Sequence, residues 1–367
     1  MHYQNKHKVM TFIIYQNILS FHQSAFIRNL AEKHDVTLIV QNEIEEKMLR
    51  QGWKKPDFGK TKIIINPDSD LLNKFMEQKD AIHFFAGIDA FPLSAKAFKI
   101  AIRNRLKIGV YSEPFNWLGW KGKLRFLKYW ILKLRYNKHI DFILAIGNKG
   151  RWCFEKTGFS KSKIYDWAYF TEDIGSTSFN NKHTLNRFLF VGQIIKRKNI
   201  LSLVEVCKKV DLINQLSIIG VGQLEEKLKK AIENTECAYL GKVLNADVYQ
   251  KIAESSILIL PSVFDGWGAV VNEALMCGTP VIASDNCGAS VLLRDGRGKV
   301  FSIKENNLEQ ILSDFLRELP YSADKRKEIH NWALQNISGE AAVMYFENIM
   351  GYVYGNLSQK DVAPWLK

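Results

Sequence analysis

The stretch from Leu258 to Ser284, LILPSVFDGWGAVVNEALMCGTPVIAS, constrains the fold more than any other part of this chain. It reads as a buried strand, a glycine-punctuated turn, a helix and a second buried strand, the unit from which parallel sheets covered on both faces are built. Asp265 stands on the loop after the apolar run Ile257 to Leu260, and Gly266 and Gly268 flank Trp267, letting the backbone pass close to a ligand. If the helix begins near Gly268, its first free N–H groups, at Gly268, Ala269 and Val270, point back at that loop and favour an anion such as a diphosphate. Glu273 then lies about a turn and a half into the helix, where its carboxylate suits hydroxyl donors such as those of a ribose better than phosphate.

The same alternation of strand and helix runs through the rest of the sequence. Phe188 to Gly192 is an apolar run ending in glycine, and it leads through Gln193, Lys196, Arg197 and Lys198 into a helical pattern. Leu216 to Gly222 and Tyr239 to Val243 read as further strands. In the N-terminal half, Val9 to Tyr15, Val36 to Val40, Ala81 to Phe85, Ile108 to Tyr111 and Phe142 to Ile146 are continuous apolar runs of buried-strand type, separated by helical patterns such as Phe26 to Lys33. At 367 residues and 47% hydrophobic, the chain has enough material for two packed cores. The polar passage from Thr171 to Asn186 reads as the linker between them.

The acid, seven residues, acid spacing of Asp265 and Glu273, followed by EALMCGTPVIAS, resembles the C-terminal signature of retaining GT-B glycosyltransferases of family 4. The resemblance implies a GT-B architecture: two Rossmann-like parallel-sheet domains facing each other across a cleft. The N-terminal acceptor domain would cover 1–175, with 340–367 packing back on it as a terminal helix, and the nucleotide-sugar donor domain 176–339. The family usually carries Glu where this chain has Asp265, one methylene shorter. Similar enzymes place Arg directly after the strand-ending glycine, here Gly192, and Lys five residues later, both on the donor diphosphate. Lys198 matches the Lys, whereas Gln193 stands in the place of the Arg, leaving Arg197 or Lys196 as substitutes or as a solvated basic loop. In similar enzymes the backbone near Val243 meets the base. A glycine pair common after the first strand is absent, since this chain has Gln16-Asn17-Ile18-Leu19-Ser20 there.

The activity this implies is retaining transfer of a hexose-type sugar from a UDP- or GDP-sugar to a hydroxyl of a glycan or lipid-linked acceptor, as in bacterial capsule, O-antigen or lipopolysaccharide synthesis. Lys198 and the amides at Gly268, Ala269 and Val270 would hold the diphosphate, Glu273 the ribose and Asp265 the donor sugar. On the acceptor side the candidates are His22, His83 and Glu113, each after or within an N-terminal strand, with Glu113 preferred. Such enzymes generally need no divalent cation, and neither the eight His nor the five Cys show ligand spacing. A nucleotide-sugar 2-epimerase shares the two-sheet architecture but does not usually show the EALMCGTPVIAS context.

Charge supplies a second clue. The net charge is +13, and Lys121 to Lys138 holds seven basic residues, no acidic ones and interleaved Leu, Phe, Tyr, Trp and Ile. Such a helix either packs on the sheet with a solvated basic face or sets its apolar residues against lipid while Lys and Arg reach anionic headgroups. The competing class is a basic protein that binds nucleic acid or anionic lipid without transfer chemistry. Against nucleic acid, no RRM, KH, helix-turn-helix or zinc-finger pattern is present. No stretch approaches the ~18 apolar residues of a spanning helix, no secretory signal is visible, and the odd, scattered cysteines read as reduced thiols. A cytoplasmic chain, or one peripheral to the inner face of the cytoplasmic membrane, is expected.

Overall fold

The structure, a computed structural model, describes residues 9–44, 55–173, 187–318, 321–355 and 357–367. Its core is two parallel sheets. The first contains β1 (Thr11–Gln16), β2 (Asp35–Val40), β3 (Lys62–Ile65), β4 (Ile82–Ala86), β5 (Lys107–Ser112), β6 (Phe142–Ile146) and β7 (Ile164–Trp167), ordered β3-β2-β1-β4-β5-β6-β7. The second contains β8 (Phe188–Val191), β9 (Leu216–Ile219), β10 (Ala238–Gly241), β11 (Ile257–Leu260), β12 (Val281–Ser284) and β13 (Gly298–Phe301), ordered β10-β9-β8-β11-β12-β13.

Each sheet is wound alike: the chain starts in the middle, steps to one edge, then returns and steps to the other. That winding creates a switch point between β1 and β4 and another between β8 and β11, where loops leave in opposite directions and open a crevice at the carboxyl ends of the strands. Strands β4, β6, β11 and β12 are buried along their whole length, which is why they stand out in the sequence as unbroken apolar runs.

Three strands were not among the apolar runs: β3, β7 and β13. All three lie at sheet edges; β3 is largely exposed, whereas β7 is nearly all buried and was hidden by Asp166, which breaks its apolar run. Two helix starts also differ from expectation. The helix after β1 is Phe21–Ala31, begun by Ser20, whose hydroxyl accepts from the His22 amide at 3.3 Å. The helix after β11 is Val270–Met276, two residues later than Gly268, so Glu273 falls in its first turn.

The last long helix, Gly339–Tyr354, packs on the first sheet. Phe346 meets the rings of Phe12, Phe26, Phe84, Phe142 and Trp167 at centroid distances of 5.2–6.0 Å. Tyr354 Oη donates to Asp141 at 2.8 Å. The chain thus crosses between the sheets twice, and the two crossings adjoin: the Thr171 amide donates to Ile337 O at 3.1 Å. Of the expected linker, 174–186 lies outside the described residues, while Glu172 is held by Arg28.

Candidate active site

The carboxyl ends of the two sheets face each other, and the site is built where their loops meet. On the second sheet, the turn Lys196–Lys198 follows β8 and the loop bearing Asp265 follows β11, so both edges of the switch point contribute charge. Asp265, 8% exposed, is gripped by three groups: Lys198 Nζ, Arg197 Nη1 at 3.2 Å and Ser262 Oγ at 3.3 Å. Arg197 also donates to Phe264 O at 3.0 Å, and its own carbonyl accepts from the Val263 amide at 2.9 Å, tying the two loops together. Lys198 and Asp265 were assigned separate contacts, diphosphate and sugar, on sequence grounds; in the structure they are each other's partner.

Backbone packing explains the glycines. Gly268 has φ +94° and a Cβ there would lie 2.6 Å from Cys287 Sγ, so no other residue fits this turn. The amides of Gly268, Ala269 and Val270 make no hydrogen bond among the described residues. Glu273 sits beside them, and burial pushes its carboxyl up to about 7, with Lys198 opposing the shift. Trp267, between the glycines, is buried and donates to Asn272 Oδ1 at 2.7 Å. Gly192 directly follows β8 and Gln193 beyond it is exposed, while Val243 follows the edge strand β10 and lies partly buried on the core.

The first sheet supplies the opposite wall. His22, in the first turn of the helix after β1, stacks on Tyr169 with ring centroids 4.6 Å apart. Its burial lowers the imidazole to about 4, an effect that Asp265 opposes and Lys198 reinforces, so the ring is neutral at pH 7. Glu113, after β5, accepts the Tyr169 phenol proton at Oε1. Its Oε2 faces the other domain so closely that a Cβ at Gly266 would lie 2.3 Å away. Desolvation raises the Glu113 carboxyl despite its access to solvent; the Tyr169 hydrogen bond acts the other way, and Asp265 adds to the rise. Asn272 Nδ2 closes the bridge by donating to Tyr169 O at 2.7 Å. A chain of contacts, Trp267 to Asn272 to Tyr169 to Glu113 to Gly266, therefore stitches the two walls.

His83 does not reach this site. It is buried within β4, between Tyr15 Oη at 3.1 Å and Gln78 O at 3.2 Å, and desolvation lowers it to about 4. Tyr169 and Asn272 were not singled out in the sequence; nothing local distinguishes a Tyr past an edge strand or an Asn inside a helix. Among the described residues, no group of three or more His, Cys, Asp or Glu is arranged to hold a metal ion.

Two facing parallel-sheet domains with their strand ends turned to one cleft match solved structures along nearly the whole chain. Anabaena HepE, solved in complex with UDP, superposes with a TM-score of 0.69 at 14% identity, covering 93% of this chain and 100% of that one. The fold is GT-B. Within this GT-B chain, residues 174–331, under half of the sequence, match the family model "Glycosyl transferases group 1". An uncharacterized 41.2 kDa protein in the cps region of Klebsiella pneumoniae is 27% identical over 239 residues, 61% of this chain and 64% of that protein. A Campylobacter jejuni enzyme, N-acetylgalactosamine-N,N'-diacetylbacillosaminyl-diphospho-undecaprenol 4-alpha-N-acetylgalactosaminyltransferase, is 28% identical over 164 residues, 43% of this chain and 45% of the enzyme. The chain thus spans less than two thirds of the length of either curated relative.

Proposed function

We propose that this GT-B chain is a retaining, metal-independent glycosyltransferase moving a hexose-type sugar from a UDP- or GDP-sugar to a hydroxyl of a glycan or lipid-linked acceptor, in bacterial surface-polysaccharide synthesis. The observation that carries this reading is the Lys198, Arg197 and Asp265 cluster at the β8/β11 switch point, facing Glu113, Tyr169 and His22 across the cleft. The group 1 match over the same loops, and the UDP in the HepE complex, support a nucleoside diphosphate as the ligand of that cluster.

In this reading the diphosphate draws Lys198 from Asp265 and accepts from the amides at Gly268, Ala269 and Val270. Glu273 accepts hydrogen bonds from the ribose hydroxyls, and the backbone near Val243 borders the base. Arg197 supplies the charge that Gln193 cannot, and Gly192 keeps the end of β8 open to the phosphates. Freed from Lys198, Asp265 turns to the donor sugar. As the bond from the anomeric carbon to the diphosphate breaks, negative charge grows on the leaving oxygen, and Lys198 and the fixed amides stabilise it without reorganising. The acceptor hydroxyl then bonds to the anomeric carbon on the face being vacated, and its proton passes to the departing phosphate. Glu113 and His22 orient that hydroxyl.

Incubation with a panel of UDP- and GDP-sugars in EDTA, followed by proton NMR of the product or of slow hydrolysis, tests this. Release of one nucleoside diphosphate with retained anomeric configuration is expected. No turnover of any nucleotide sugar by folded protein, or an inverted product, contradicts it.

A further inference from the structure

The basic segment singled out in the sequence forms the helix Gly119–Tyr136, and its orientation decides between the two readings left open for it. Its inner face is Phe126, Tyr129, Leu132 and Tyr136: Phe126 packs on Phe115 at 4.9 Å, Tyr129 on Phe154 at 6.0 Å and Tyr136 on Phe98 at 5.3 Å, while Leu132 is buried. Were the outer face the ordinary solvated one, it would be polar. Instead, Trp120, Leu124, Leu127, Ile131 and Leu134 recur every three or four residues along it, and all are exposed, Trp120 by 68% and Leu127 by 55%. Single exposed apolar residues need no explanation, but a continuous stripe along one helix does.

The charges around the stripe say what covers it. Lys121, Lys128 and Arg135 run along one flank and Lys123 along the other, and the helix has no acidic residue. The neighbouring acid that meets them is Asp89, 2.9 Å from Lys128. A second protein would be expected to offer the stripe an apolar groove ringed by acids; a bilayer with anionic headgroups offers apolar depth and negative charge together, along a plane, as a straight helix requires. No helix among the described residues is long and apolar enough to cross a membrane, so the contact is one of lying on the surface.

We infer that the helix Gly119–Tyr136 docks flat on an anionic lipid bilayer, with its Trp120 to Leu134 stripe in the acyl boundary and its lysines and arginines among the headgroups. The stripe begins three residues after Trp117, whose ring lies 5.0 Å from that of Phe264, next to Asp265. Docking therefore brings the cleft mouth to the membrane, and, on the transferase reading, to an acceptor held there by lipid.

The test is co-sedimentation of the full chain with phosphatidylcholine vesicles, with and without phosphatidylglycerol, at rising salt. Binding to the anionic vesicles alone, weakening with salt, is expected. Lys121→Gln with Lys123→Gln should weaken it about fivefold per charge removed. Trp120→Ser with Leu127→Ser should weaken it by at least about tenfold with melting temperature unchanged, since both sites are exposed. Should the apolar pair fold poorly, the lysine pair decides alone. Failure of wild type to bind anionic vesicles, wild-type binding by the variants, tighter binding to RNA than to vesicles, or a stable dimer that Trp120→Ser dissolves would each overturn the inference. None of these readouts depends on sugar transfer, so the docking and the activity fail separately.

Discussion

The two walls of the cleft are made differently. The wall from the second sheet is made by the loops after two adjacent strands, β8 and β11, in which Arg197, Lys198, Ser262 and Asp265 satisfy one another although 67 residues separate Lys198 from Asp265. The wall from the first sheet is assembled from distant places: His22 after β1, Glu113 after β5 and Tyr169 after β7 meet only because the sheet brings them together. Each loop of the second sheet carries several site residues close together and so can be spelled in a motif, whereas the first sheet contributes one residue per strand end and cannot.

If the second sheet's wall is an electrostatic unit, removing its cation should have the largest effect. Lys198→Ala leaves Asp265 with Arg197 and Ser262, and a stability loss of about 2–3 kcal/mol is expected by chemical denaturation, with turnover reduced by about 10²–10³. Asp265→Asn in the same background should recover much of the stability and none of the turnover. If stability survives the first change, the pair is not buried as described.

Contact between the walls is probed next by Gly266→Ala, which places a methyl against Glu113. A loss of about 1–3 kcal/mol is expected, relieved when Glu113 is also changed to Ala. Additive losses would mean that the walls do not touch.

Glu273 separates the walls by pH. Its folded carboxyl, raised to about 7, holds a proton that the unfolded chain has already lost, so its contribution to stability is full below the unfolded value of 4.5 and disappears as pH rises to about 7. Glu273→Gln should remove a decline of the order of 2 kcal/mol across that window, read as the difference between the two melting profiles. A constant difference would show the carboxyl to be unperturbed.

The smallest effect belongs to the first sheet's wall. Tyr169→Phe removes the donor that lowers Glu113, so the carboxyl should rise further and the acidic limb of the pH–rate profile move to higher pH, at a stability cost of about 1 kcal/mol. An unmoved limb would take Glu113 out of the rate-determining chemistry.

The same contrast explains what the sequence revealed. β4, β6, β11 and β12 were legible because interior parallel strands are apolar on both faces, whereas β3 offers only the three isoleucines Ile63 to Ile65 behind Lys62, too short a run to stand out, with three of its four residues exposed. The turn from Asp265 to Val270 was legible because acids and glycines at fixed spacing have few other uses, yet the helix started two residues late, a boundary that cap geometry decides. The pairing of Lys198 with Asp265 was hidden because residues 67 apart in sequence carry no sign of being neighbours. His83 drew attention only by its chemistry, and its position within β4 gives it a structural task.

The most direct test of the central claim is calorimetric titration of wild type and Lys198→Met with UDP, GDP, dTDP, ADP and CMP in EDTA. The account predicts binding of one nucleoside diphosphate to wild type without metal, weakened at least about thirtyfold in the variant. Absence of binding to folded wild type, or equal binding by both proteins, would contradict the assignment of a nucleotide-sugar site to the β8/β11 switch point.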